Sequence, residues 1–242
     1  MSETMERRTG RFLGLMIAVG VAGALSMAFV PIEQLLPAGM EAPRALLLVQ
    51  PVLLVAALSA LGWWASPKLG LDAPVLGALA DGGDWAAPLH RALIPALTGG
   101  IGCGALIALF GMAAADVLGG RAQSIELPLA TRMLYGGTVE EIVFRWALLP
   151  LAALGLVRLG AGRPAALWLA NGIAALLFAA GHVPGVLQVV AVPPSWLVPA
   201  VLAANSAIGL ICGWLFIRRG FEAAMIAHAL AHLVSLPLLA LA

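Results

Sequence analysis

Two adjacent glutamates, Glu140 and Glu141, lie with Arg145 inside the otherwise apolar stretch LPLATRMLYGGTVEEIVFRWALLPLAALGLV. A charged side chain at the centre of a membrane helix costs about 2.5–3.5 kcal/mol on insertion scales. Such groups are retained where they face a protein interior or a watery cavity, so they indicate a functional site. Three of the four histidines also lie in apolar stretches: His182, His228 and His232. Carboxylates and imidazoles in one apolar chain indicate hydrolytic or metal chemistry.

The spacing of the two glutamates predicts different roles for them. Successive residues of an α-helix advance by about 100°, so Glu141 and Arg145 share a face and can form an ion pair. Glu140 points about 100° away from Glu141, which leaves its carboxylate free to act as a base. The alternative is a buried ion-paired cluster that only holds helices together, although such a cluster needs one acid rather than two.

The histidines recur at the same four-residue spacing. Phe178 precedes His182 by one helical turn, and His228 precedes His232 by one turn. The second pair could hold one metal ion from a single helix face, or could supply two hydrogen-bond donors. Core packing is the alternative for each histidine. Asn205 is a further polar residue in an apolar stretch, which predicts first an interhelical hydrogen bond and second a place in the wall of a site.

Composition defines the fold class. The chain has 242 residues, of which 62% are hydrophobic and 10% are charged, and its mean hydropathy is +1.02. Soluble domains carry about 25% charged residues, so we expect an all-α, polytopic bundle of transmembrane helices. The net charge of +1 argues against a nucleic-acid partner. Cys103 and Cys212 are expected to be packing residues, since they show neither a disulfide framework nor zinc-type spacing.

Runs of about 20 apolar residues predict seven spans, with an eighth left open within 66–90 or 185–195. The predicted spans are 12–31, 45–65, 91–115, 129–157, 164–192, 196–217 and 221–241. A polar leader is expected over 1–11, supporting helices over 12–128, and a half that carries the chemistry over 129–242. The fifth span should continue as a kinked helix past Pro184, because ending at His182 would leave that imidazole at the membrane surface. Gly100 and Gly104 permit close helix contact.

The basic residues predict the orientation of the chain. With the N-terminus in the cytoplasm, the inner side receives Arg7, Arg8, Arg11, Lys68, Arg91, Arg158, Arg163, Arg218 and Arg219. The outer side then receives only Arg44, Arg121 and Arg132. Basic residues favour the cytoplasmic side, so we expect a cytoplasmic N-terminus in a bacterial-type plasma membrane.

The ordered patterns E-E-x-x-x-R, F-x-x-x-H and H-x-x-x-H, on three separate spans, resemble the CPBP (Abi) family of intramembrane proteases. That family includes CAAX-prenyl endopeptidases and bacteriocin-processing relatives, and the resemblance covers residues 129–240. It implies an endopeptidase in which Glu140 and His182 hold the nucleophilic water. The last motif of the family is usually H-x-x-x-N, and its His and Asn stabilise the oxyanion. Here His228 matches, and His232 stands in the Asn position, where an imidazole can still donate a hydrogen bond.

Two mechanisms remain open at this stage. In the favoured one, no metal is required: Glu140 is the base, His182 orients water, and His228 and His232 donate to the oxyanion. In the alternative, Zn²⁺ is bound by Glu140, His182, His228 and His232 and lowers the pKa of its bound water towards about 7. The supporting residues are Glu141, Arg145, Phe178 and Asn205.

Two other functions compete with an endopeptidase that cuts a peptide or membrane-protein substrate in or beside the lipid bilayer. One is an ion- or proton-coupled transporter that uses the glutamates and histidines as a relay. The other is a catalytically inactive membrane scaffold. A transporter is favoured by internal repeats or paired broken helices, whereas here the intramembrane ionisable groups all follow residue 130. The sequence leaves open whether the substrate is a prenylated C-terminus, a leader peptide or a membrane segment.

Overall fold

The computed structural model describes residues 3–31, 41–118, 127–190 and 192–240, and these ranges are helical without a strand. The α-helices are α1 (Glu3–Leu25), α2 (Arg44–Ala65), α3 (Pro74–Asp81), α4 (Ala86–Ala113), α5 (Ala115–Leu118), α6 (Leu129–Thr131), α7 (Leu149–Arg158), α8 (Arg163–Val189), α9 (Leu197–Arg219) and α10 (Phe221–Ala240). Short 3₁₀ turns cover Ser26–Phe29 and Ser66–Leu69. The all-α fold class is therefore confirmed.

Residues 129–158 form one uninterrupted helical run, which we call the glutamate helix. Its extent agrees with the predicted span, but the expected α geometry is wrong, because Arg132–Glu140 and Ile142–Leu148 are π-helical. A π-helix bonds residue i to residue i+5 and is frequent at functional sites. The adjacent glycines Gly136 and Gly137 lie in the first π segment, and glycine disfavours the regular α-helix by about 1 kcal/mol relative to alanine.

Among the described residues, six helices are long and apolar enough to cross a membrane: those that contain Gly10–Phe29, Arg44–Leu69, Ala86–Ala113, Arg163–Val189, Leu197–Arg219 and Phe221–Ala240. They correspond to six of the seven predicted spans, and the seventh is the glutamate helix, which carries its three charges in the middle. Large apolar side chains lie exposed on the outside of the bundle, for example Leu53 at 64% and Ile94 at 75%. Lipid would cover such surfaces, so the protein is an integral membrane bundle.

The structure describes two segments whose helical extent the sequence left open: residues 66–90 and the helix around Pro184. Within 66–90, the eight residues of α3 rise only about 12 Å, too short to span a bilayer. Helix α8 continues through His182 and Pro184, as predicted, and ends at Val189. At the N-terminal end, α1 begins at Glu3, so the leader residues from 3 onwards continue the first helix.

The predicted small-residue contact on α4 is formed with α10, the helix that carries His228 and His232. A Cβ atom at Gly100 would lie 2.8 Å from the Ala227 carbonyl oxygen, and one at Gly104 would lie 2.7 Å from Val234 Cβ. Helix association in lipid depends on such close approach, since lipid provides no hydrophobic drive between helices. The two glycines therefore fix α10, and the histidines on it, against α4.

We predict that Gly104→Ala destabilises the protein by about 1–3 kcal/mol, because the added methyl group overpacks the contact with α10. Gly102→Ala is the matched control, because a Cβ at Gly102 meets nothing within 4 Å. Thermal unfolding of both variants in the same detergent measures the difference. Equal stability of the two variants would contradict the close α4–α10 contact.

Candidate active site

The centre of the site is the Glu141 carboxylate, which is fully buried. Its Oε1 lies 2.9 Å from Arg145 Nη1 and 2.7 Å from His228 Nδ1. The predicted pairing of Glu141 with Arg145 is therefore present, and a second link, from the glutamate helix to α10, is added. An ionised carboxylate only accepts hydrogen bonds, so the His228 Nδ1 atom carries the hydrogen and donates it to Glu141.

Arg145 connects three helices at this point. Its Nη2 donates a hydrogen bond of 3.2 Å to the Gly209 carbonyl oxygen on α9, and its Cζ lies 4.7 Å from the centre of the Phe178 ring on α8. The contact with Glu141 is short but misaligned for a hydrogen bond, so attraction between the charges holds it. Glu141 Oε2 has no hydrogen-bond partner among the described residues. The buried charge of Glu141 is thus compensated mainly through Oε1.

Glu140 has a different environment from its neighbour. Its side chain is 23% exposed, and its Oε2 lies 3.6 Å from His228 Nε2, beyond hydrogen-bond distance. It lines a cavity of about 410 Å³ together with His182, Phe144 and Tyr135. The structure therefore brings Glu140 and His182 to one cavity, and it leaves the Glu140 carboxylate without a hydrogen bond in the described part of the chain.

His182 is fixed by its own helix. Its Nδ1 lies 2.8 Å from the Phe178 carbonyl oxygen, which can only accept, so Nδ1 donates. In the neutral ring, Nε2 is then an acceptor. The Phe178 ring packs edge-on against both His182, at 4.6 Å between ring centroids, and His228, at 5.7 Å. Phe178 therefore packs against both imidazoles. Its spacing before His182 predicts only the first of these two contacts.

A second cavity, of about 440 Å³, is also lined by His182, together with His228, His232 and Asn205. The His228 and His232 rings are stacked with centroids 5.3 Å apart. The His232 ring makes no hydrogen bond within the described ranges. The predicted interhelical bond of Asn205 is wrong, because its Nδ2 donates instead to the Val201 carbonyl oxygen one turn earlier on α9.

Gly136 makes room for both imidazoles beside the glutamate helix. A Cβ atom at this position would lie 2.9 Å from His232 Nε2 and 3.0 Å from His228 Nε2. Sequence reasoning missed this glycine, and it also missed Tyr135 in the cavity wall. Tyr135 lines the same cavity as Glu140, and the two residues are five positions apart, which is the hydrogen-bond spacing of a π-helix. The Gly-Gly pair before the glutamates is the feature of the sequence that points to this close packing. α-Helical spacing does not predict which side chains pack against it.

The four predicted metal ligands do not form a compact ligand group. In the described part of the chain, the group whose ligand atoms lie within 4.8 Å of one another is Glu141, Cys212 and His228. A cation fits poorly there, because the Arg145 guanidinium is already 2.9 Å from Glu141 and His228 Nδ1 is bonded to the same carboxylate. Cys212 is buried, in accordance with a packing role.

The fold and the site define a polytopic membrane bundle with an acid and imidazole centre shared by the glutamate helix, α8 and α10. Residues 123–234 match the family model described as type II CAAX prenyl endopeptidase Rce1-like. This match contains all three sequence patterns and confirms the resemblance to the CPBP and CAAX protease family. Residues 123–234 are thus similar to a membrane protease family. No curated protein and no solved structure matches the chain.

Arg145→Ala should lower the free energy of unfolding by about 3–5 kcal/mol, because it leaves the buried Glu141 carboxylate without its guanidinium. Arg158→Ala is the control, since Arg158 is exposed at the end of α7. Denaturant unfolding of both variants in detergent measures the effect. An Arg145→Ala protein as stable as the Arg158→Ala protein would show that the ion pair is unimportant for folding.

Proposed function

We propose that this protein is an intramembrane endopeptidase that hydrolyses a peptide bond with water activated by Glu140 and His182. The observation that carries the proposal is that these two side chains share a cavity, while His182 also lines the cavity that contains His228 and His232. Base, water-binding group and oxyanion donors could therefore act on one scissile bond placed beside His182.

Glu140 is the proposed base. It is partly exposed to its cavity, so water can reach it, and its oxygens retain free lone pairs. Glu141 is unsuited to this role because its charge is already shared by Arg145 and His228. After taking a proton from water, Glu140 would deliver it to the leaving amine, which needs a proton to depart.

His182 is the proposed water-orienting group. With Nδ1 held by the Phe178 carbonyl oxygen, the neutral ring presents Nε2 as an acceptor for a water hydrogen. A water held between Glu140 and His182 has one proton directed to each acceptor and a lone pair available for the peptide carbonyl. A nucleophile fixed in this way loses less entropy on reaching the transition state.

His228 and His232 are the proposed oxyanion donors. His228 donates a hydrogen bond from Nδ1 to Glu141. It can donate from Nε2 at the same time only as an imidazolium, and Glu141 would stabilise that positive charge. The His232 ring has no hydrogen-bond partner within the described protein and can donate to the developing oxyanion directly. Donors placed in a water-poor site are worth more than in water, since the surroundings screen them less.

A metal-free reaction is favoured, because the compact group of potential metal ligands in the described chain is Glu141, Cys212 and His228 rather than Glu140, His182, His228 and His232. A zinc-dependent reaction through those four residues is the alternative. The transporter and the inactive scaffold are the competing functions, and neither would cleave any peptide.

The proposed substrate is a peptide or membrane-protein segment that enters the larger cavity from the bilayer. Most residues around that cavity are apolar, including Ile107, Phe110 and Val186. The family description names CAAX prenyl endopeptidases, so a prenylated C-terminal peptide leads the panel to be assayed, beside a leader peptide and a transmembrane peptide. The proposed orientation has the N-terminus in the cytoplasm of a bacterial-type cell, because basic residues favour that side.

Glu140→Ala and Glu140→Gln should each lower peptide cleavage by about 10²–10⁴-fold while leaving the protein folded and inserted, because both remove the general base. Cleavage of the labelled peptide panel by wild type and variants measures the effect, and unfolding temperature serves as the control for folding. Retention of more than about a tenth of wild-type activity would rule out Glu140 as the base.

His232→Asn should retain most of the activity, because an amide also donates a hydrogen bond, whereas His232→Ala should lose about 10²–10³-fold. Metal analysis of wild type and both variants, with and without a chelator, accompanies the assay. Stoichiometric zinc in wild type that disappears together with activity in His232→Asn would establish the metal-dependent alternative instead.

A further inference from the structure

A basic pocket of about 340 Å³ lies at the ends of α4 and α9 and uses none of the residues of the candidate active site. We call it the arginine pocket, since Arg91 from α4 and Arg218 and Arg219 from α9 line it. Its remaining walls are the loop around Asp72 and the turn at Gly220 that joins α9 to α10.

The arginine pocket has an unbalanced charge. The three guanidiniums are exposed, and none has an ion-pair or hydrogen-bond partner in the described structure. Asp72 is the one carboxylate on the wall, so positive groups outnumber negative groups three to one. Like charges gathered in one concave site repel one another, and an anion bound between them would relieve that repulsion.

The walls of the pocket are held by tertiary hydrogen bonds rather than by chance proximity of side chains. The Phe221 backbone N–H donates to the Asp72 carbonyl oxygen at 3.0 Å. The buried Glu222 accepts a bond of 2.8 Å from the Leu76 backbone N–H in the first turn of α3. Gly220 adopts a positive φ of 94° and packs against Pro74. These contacts fix the loop against the α9–α10 turn, so the fold itself sets the shape of the pocket.

The chemistry of the walls identifies the ligand. Guanidiniums bind phosphate oxygens through paired hydrogen bonds, and basic pockets between membrane helices on the cytoplasmic side bind anionic lipid headgroups. Apolar groups of Leu71, Phe216 and Ile217 line the same pocket and suit the glycerol and first methylenes of a lipid. We propose that the arginine pocket binds the phosphate headgroup of an anionic phospholipid, an inference that does not rest on the proposed peptidase function.

Occupation of this pocket would act on the helix that carries the histidines. The headgroup would contact the turn at Gly220, directly before α10 begins at Phe221. A bound lipid would therefore hold the start of α10, and with it His228 and His232, in the packed position.

The test titrates the purified 242-residue protein in detergent with phosphatidylglycerol or phosphatidylcholine of identical acyl chains and follows bound lipid by native mass spectrometry. Wild type should bind phosphatidylglycerol preferentially. The double variant Arg218→Gln with Arg219→Gln should weaken that binding about 30-fold, at about fivefold for each arginine. Asp72→Asn should strengthen it, because a negative charge leaves the wall. If the double variant does not fold, Arg91→Gln should still weaken binding about fivefold.

Arg158→Gln is the matched control, since Arg158 is also exposed and basic, lies in the same predicted cytoplasmic group, and does not line the pocket. It should bind phosphatidylglycerol as wild type does. An equal loss in Arg158→Gln would overturn the proposal in favour of diffuse attraction to an anionic surface. Equal binding of the two lipids would also overturn it, and so would inorganic phosphate that competes as well as the lipid does.

Discussion

The buried carboxylate of Glu141 is the interaction on which the site depends. A carboxylate with no exposure loses hydration worth several kcal/mol, and this loss is tolerated only where opposite charge and hydrogen-bond donors replace water. Arg145, one turn later on the same helix, supplies the positive charge. His228, on α10, supplies the hydrogen-bond donor. Because one carboxylate is used for structure, the adjacent Glu140 remains available to a cavity that water can enter.

Close backbone approach provides the space in which this network is formed. Gly100 and Gly104 bring α4 against α10, and Gly136 admits the two imidazoles of α10 beside the glutamate helix. Helices in lipid associate through such tight packing rather than through hydrophobic collapse. The same packing leaves two cavities that are both lined by Phe178 and His182; one is also lined by Glu140, and the other by His228 and His232.

Much of the site was predictable because its pairs are local. Glu141 with Arg145, Phe178 with His182, and His228 with His232 are each one helical turn apart, and contact between such residues follows from helix geometry alone. The fold class followed from composition, since an apolar chain must satisfy its backbone within helices in order to cross a bilayer. The continuation of α8 past Pro184 was likewise predicted, from the depth that His182 needs within the membrane.

The sequence by itself determined the class of protein, the spans and the pairs within each helix, because these depend on composition and on periodicity along one segment. The tertiary structure decided which pairs meet across helices. The link from Glu141 to His228, the place of Tyr135 and Gly136, and the bond of Asn205 within its own helix depend on π-helical turns and on how segments distant in sequence pack. Side-chain spacing along a chain carries no information about that packing, so only the folded bundle reveals it.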